Sequence, residues 1–204
     1  KSVKIKEVID ALERFAPLPL QEGYDNAGLQ VGLTETEVSG ALLCLDVTES
    51  IVDEALEKRC NLIVSHHPLL FHAIKTLSDI NYVQRTVMKA IENHVTVVSM
   101  HTNLDNAQGG VNFKMAEKIG LEYVRFFDEK IVDDITSGNG VIGVLPTEMD
   151  SMAFIDKVKK VFGVECAQCN QLLHRKISKV ALCGGAGSFL LDDAIKAGAD
   201  AFIT

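Results

Sequence analysis

Between Ala41 and Ile119 the chain alternates short apolar runs with amphipathic stretches three times. The apolar runs are Ala41–Val47, Leu62–Val64 and Val95–Met100, each too short for a buried helix. Each is followed by a segment of helical period. Thr48 caps a stretch carrying Ile51, Val52, Ala55 and Leu56, a second covers about Ile80 to Ile91, and a third runs from Val111 to Ile119, where Gly120 stops it. Strands alternating with helices at this spacing build βαβ units and a mostly parallel sheet. The expected fold class is therefore α/β.

An open parallel sheet binds ligands outside the carboxyl ends of its strands. Two of these strands end in chemistry: Ser65-His66-His67-Pro68 after the second, and His101-Thr102-Asn103-Leu104-Asp105 after the third. Adjacent side chains on a strand point to opposite faces, so His66 and His67 share a site only where the strand breaks. Pro68 supports a break, because it lacks a donor and biases its predecessor away from helix. An isolated His-His pair reads equally well as one hydrogen-bonded core residue and one solvated residue. The second cluster, with its Asn, Asp and Gly neighbours, reads equally well as a turn, and Asp105 as a helix cap. Together they make an inventory of imidazole and carboxylate ligands. Such a set suits Zn, Fe, Mn, Co or Ni, with no special fit to Ca or Mg.

The remaining segments frame this centre. Ile5, Val8, Ile9, Leu12 and Phe15 recur at helical spacing, with Ser2 as the expected cap and Pro17 and Pro19 as the stop. Leu20–Leu33 reads as a loop, in which Tyr24-Asp25-Asn26-Ala27-Gly28 offers a further carboxylate. Phe126–Gly140 is polar and reads as a linker or hairpin. After it come strand Val141–Leu145, helix Ser151–Phe162 ending at Gly163, strands Val164–Ala167 and Val180–Cys183, and helix Phe189–Ala197 ending at Gly198. The expected division is a first lobe over 1–125, carrying both histidine motifs, and a second over 126–204. The chain opens with Lys1 and stops on the apolar Ala201-Phe202-Ile203-Thr204, so trimming at the amino end and a shortened carboxy end are expected.

A net charge of -8 over 204 residues lacks the basic footprint that nucleic-acid binding needs. No Lys/Arg cluster favours a membrane surface, and no apolar run nears the roughly 18 residues of a membrane span. Five cysteines, partly inside apolar strands, fit a reducing cytoplasm better than a disulfide framework. Cys166-x-x-Cys169 is half a zinc ligand set. Gly184-Gly185-Ala186-Gly187-Ser188 follows a strand and opens a helix, so it is a weak candidate for anion binding. Walker A and G-x-S-x-G motifs are absent from the sequence.

Four stretches, in order over essentially the whole chain, resemble one family. They are Tyr24-Asp25-Asn26-x-Gly28-Leu29-x-x-Gly32, Ser65-His66-His67-Pro68-Leu69-Leu70-Phe71, His101-Thr102-Asn103-Leu104-Asp105-x-x-x-Gly109-Gly110-Val111-Asn112, and Cys183-Gly184-Gly185-Ala186-Gly187-Ser188. They look like the NIF-three-like family, whose members are also described as GTP cyclohydrolase 1 type 2 homologs. The resemblance implies two related α/β lobes, a ring-shaped homohexamer and a site for two divalent metal ions. It implies His66 on one ion, His67 and Asp105 on the other, and His101 as a near neighbour. It places the remaining ligands in a carboxy-terminal Gly-His-x-x-x-Glu motif beyond Thr204.

The function expected from these readings is a cytoplasmic, dinuclear metal-dependent hydrolase acting on a small molecule, a nucleotide or phosphate ester. Asp25 or His101 would shuttle the proton. The rival expectation is a non-enzymatic oligomeric scaffold with structural or regulatory metals.

Overall fold

A computed structural model describes residues 2–204, which divide into two compact units with the boundary between Leu104 and Asp105. The first contains helix α1 (Ile5–Phe15), strands β1 (Gly28–Val31) and β2 (Ala41–Cys44), helix α2 (Glu49–Glu57), strand β3 (Leu62–Ser65), helix α3 (Tyr82–Glu92) and strand β4 (Thr96–Ser99). Its sheet has the order β1-β4-β3-β2. β2, β3 and β4 run parallel, and β1 joins β4 antiparallel across a bulge.

Strand alternation sorts the core into two layers. Ile63 and Val97 face Val52 and Ala55 of α2 and Val87 and Ala90 of α3. Their neighbours Leu62 and Val98 face Ile5 of α1, with Val8, Ile9 and Leu12 beside it. The sheet is thus covered on both sides, which explains the near-continuous apolar runs. Each such buried Leu, Ile or Val contributes about 1.5–3 kcal/mol over its exposed state.

Thr48 caps α2 as expected, accepting from the Ile51 N–H at 3.3 Å. Ser2 is not the cap of α1. Its Oγ donates to Glu37 Oε1, and the Glu7 carboxylate takes the backbone N–H of Lys4 at 2.8 Å. The expected loop Leu20–Leu33 contains β1. Gly32 ends that strand at φ +108°, and a Cβ there would lie 2.8 Å from Thr96 Cα, so only glycine lets the two backbones meet.

The second unit opens within the short helix α4 (Thr102–Asn106). It continues through α5 (Val111–Ile119), β5 (Glu122–Phe126), β6 (Glu129–Val132), β7 (Ile135–Gly138), β8 (Val141–Asp150), α6 (Ser151–Phe162), β9 (Lys176–Leu182), α7 (Leu191–Lys196) and β10 (Ala201–Ile203). The boundary falls before α5 and not at 125/126, because α5 and β5 build their core with β8 and β9. Ala116, Ile119 and Phe126 pack with Val141, Phe154, Val180 and Leu182. On the other face Ile142 and Ala181 meet Ala194 of α7. Gly120 and Gly163 end α5 and α6 in the left-handed conformation that their type favours.

The α/β class holds for both units, and parallel pairing dominates the first. The second sheet, β10-β9-β8-β5, has one parallel pair, β10 with β9; β9 with β8 and β8 with β5 are antiparallel. The segment 164–175, expected to start with a strand, is irregular and carries the chain back after α6. The expected hairpin at 126–140 forms as β6 and β7. Among the described residues no helix is long and apolar enough to cross a membrane.

Candidate metal centre

β3 ends at Ser65, and the chain bends through His66 and His67 into buried Pro68 and Leu69. Four hydrogen bonds hold this bend. The His66 N–H donates to Cys44 O at 3.1 Å and the His67 N–H to Leu45 O at 2.9 Å. Ser99 Oγ donates to His66 O at 2.9 Å, and Ser65 Oγ to His67 O at 2.8 Å. Both serines are buried, so the two carbonyls are satisfied by side chains where the ladder stops.

His101 sits one strand over, after β4. Its N–H donates to Oδ1 of fully buried Asn103, whose Nδ2 reaches Ala16 O at 2.9 Å. The rings of His66, His67 and His101 converge, with centroids 5.2–5.5 Å apart. One ligand atom from each lies within 4.8 Å of the others.

Each ring is held from behind. His66 Nδ1 meets Met100 O at 2.8 Å, His67 Nδ1 meets Asp46 Oδ1 at 2.7 Å, and His101 Nδ1 meets Asp25 Oδ1 at 2.8 Å. A carbonyl and two carboxylates accept only, so each Nδ1 is the donor in these bonds. This arrangement fixes tautomer and orientation behind metal-binding histidines generally. Three imidazoles held in this way suit a first-row divalent ion with an open position.

Asp25 has no exposed side-chain surface. Burial pushes its pKa up. The Thr102 hydroxyl, His101 and the backbone N–H groups of Thr102 and Asn26 more than offset this and hold it below the usual carboxylate range. It therefore stands as a buried anion behind His101. Cys44, beside this bend, has its thiol pushed up by burial and then by the charges of Asp46 and Glu54.

The structure thus brings together His66, His67 and His101, with Asp25 behind the last. Asp105, expected as a ligand, lies on α4 and opens the second unit, where its carbonyl accepts from Asn112 Nδ2 at 3.3 Å. Sequence reasoning missed Asp46. An Asp just past an apolar strand reads as a turn residue, and only its place beside the strand before His67 gave a signal. Cys166 and Cys169 are exposed on the irregular segment 164–175. In the glycine loop the Gly184 N–H donates to Asn112 Oδ1 and the Gly187 N–H to Thr204 Oγ1, each at 2.8 Å.

A helix-covered α/β sheet with histidines clustered at its strand ends defines an α/β protein with a candidate metal site. The chain matches the model of the Duf34/NIF3 (NGG1p interacting factor 3) family over residues 3–204, and it belongs to that family. It is 36% identical over 202 residues to a GTP cyclohydrolase 1 type 2 homolog of Clostridium perfringens, covering 99% of this chain and 77% of that protein. A crystal structure of a hypothetical protein of Staphylococcus aureus superposes with a TM-score of 0.91 at 28% identity, over 99% of this chain and 78% of that one. A Bacillus cereus protein related to NIF3 shares the fold, with a TM-score of 0.90 at 24% identity over 99% and 82% of the two chains.

Proposed function

We propose that this protein is a metal-dependent hydrolase built on His66, His67 and His101. The observation that carries the reading is the convergence of these rings, each held at Nδ1, with one possible ligand atom from each within 4.8 Å of the others. A divalent ion bound there supplies Lewis acidity, polarising a substrate oxygen and acidifying water. His66 and His67 bind the ion, and Asp46 keeps the His67 ring in register. His101 completes the triad of imidazoles, and Asp25 acts through it by fixing its tautomer and stabilising any positive charge that develops on the ring.

The fuller form of the proposal has two ions, with Asp105 on the second, as the family resemblance implies. The name of the Clostridium perfringens relative points toward a purine nucleotide as substrate. We attach a homo-oligomer, the hexamer of the resemblance, and a reducing cytoplasm to the same reading.

The test is elemental mass spectrometry of the full chain after loading with Zn, Mn or Co, followed by turnover of GTP and of bis(p-nitrophenyl) phosphate. At least one ion per chain, with turnover abolished in His67→Ala, supports the hydrolase. Two ions, falling to one in Asp105→Ala, support the dinuclear form. Ions held without turnover leave the scaffold reading in front, and no ion held after loading sinks the metal centre altogether.

A further inference from the structure

Two aromatic rings stand beside the histidine cluster. Phe71 is 40% exposed and Tyr24 68% exposed, although the chain around both is held. Asn26 Nδ2 donates to Leu70 O at 2.7 Å, and the Leu70 N–H donates to Gln30 Oε1 at 3.0 Å. These bonds tie the loop of Tyr24 to the loop of Phe71. Asp25, next to Tyr24, is buried against His101 and Thr102, and Leu69, two residues before Phe71, is buried in the core. Pinned backbone with outward rings differs from a loose loop whose apolar residues happen to meet water.

The ring geometry is specific. Tyr24 and Phe71 meet edge to face with centroids 6.4 Å apart. Phe71 meets His101 at 6.4 Å and nearly perpendicular. The aromatic pair is thus one ring away from the ligand atoms. Ligand sites combine aromatic side chains with a few convergent polar groups, and Tyr24, Phe71 and the three histidines supply both kinds side by side.

We propose that Tyr24 and Phe71 form an aromatic wall that stacks a flat, conjugated ring whose oxygen donors reach the metal. The proposal rests on the metal reading and names the substrate class: planar, conjugated and chelating. The wall selects for the ring by stacking, while the imidazole-bound ion takes the oxygens.

The experiment uses the full chain loaded with Co(II), whose visible spectrum reports both metal uptake and ligand exchange. It is titrated with N-hydroxypyridinone, a flat chelator, and with acetohydroxamate, which offers the same pair of oxygens without a ring. In Phe71→Ala and in Tyr24→Ala the Co(II) spectrum is retained, and the preference for the flat probe falls roughly tenfold in each, as expected for loss of one stacking ring. Acetohydroxamate affinity stays within about twofold. Phe71→Leu, which keeps apolar volume without a ring, behaves like Phe71→Ala.

An unchanged preference in all three variants overturns the wall. So does equal weakening of both probes, which would mean that the rings merely support the histidines. A change of sedimentation in the variants without a change of preference would give the patch to a second copy of the chain. Failure of Co(II) to bind at all, with no visible spectrum from the unaltered chain, instead overturns the metal reading beneath.

Discussion

The loops after β3 in the first unit and after β9 in the second start alike and end differently. Each leaves the carboxyl end of a strand that has a parallel neighbour. After β3, the main chain is satisfied by Ser65, Ser99, Cys44 O and Leu45 O, and the side chains of His66 and His67 are left to point outward. After β9, the N–H groups of Gly184 and Gly187 are taken by Asn112 and Thr204, and residues 184–187 carry no imidazole or carboxylate. A strand-end loop becomes a chemical site when neighbours take over its backbone groups and its own residues carry ligands. The second loop meets only the first condition. A Cβ on Gly187 would lie 2.7 Å from both Cys183 Cβ and Thr204 Oγ1, so this position needs glycine for close packing.

The sharpest test of this contrast pairs His67→Ala with Asn112→Ala. The first should weaken Zn or Co binding by roughly 100-fold or more, since it removes a ligand, with little change in Tm. The second should lower stability by about 1–3 kcal/mol, because Asn112 is 2% exposed and its loss strands the Gly184 N–H. Isothermal titration and thermal unfolding separate the two. Loss of metal binding equally in both variants would break the comparison.

Ser99→Ala comes next. It leaves the His66 carbonyl without its buried donor, so a loss of about 1–3 kcal/mol in urea unfolding is expected, together with weaker metal binding. Asp46→Ala should be milder. Asp46 is exposed, so metal affinity should fall roughly tenfold, the low end for an orienting partner, with stability unchanged.

Which of these residues could be read in advance follows from how local their roles are. Gly120, Gly163 and Thr48 announced their caps because a cap needs a residue type at one position. His66, His67 and His101 announced themselves because chemistry at a strand end does not depend on distant pairing. Asp46 did not, since its role depends on β2 lying beside β3. The Asp25–His101 bond spans 76 residues and has no spacing signal at all. β1 was hidden because four residues with Gly at the start carry too little alternation, and its strand character comes from β4. The antiparallel direction of β9 against β8 was hidden because a helix crossover ordinarily delivers a parallel strand.

The smallest expected effect lies at the amino end. Glu35 falls from its ordinary 4.5 to about 2, held first by the hydrogen bond from Lys4 and then by that from Lys6. Its folded pKa is depressed, so its stabilisation is present above about 4.5 and is lost as pH falls toward 2. All three groups are exposed, so the contribution is small and screened by salt. Unfolding between pH 5 and 2 should show slightly less pH dependence in Glu35→Gln at low salt, and none of the difference at high salt.

Asp25 gathers its donors from far along the chain, with Thr102 77 residues away. In an unfolded chain only the neighbours His66 and His67 are near each other, and nothing aims either of them. The three-histidine grip exists only once the loop at Asp25, the bend after β3 and the turn after β4 have all arrived. Contacts of such sequence separation are slow to form. Metal capture at the proposed site should therefore lag behind secondary structure during refolding, so that a bound ion would mark the completion of this unit and not seed its beginning.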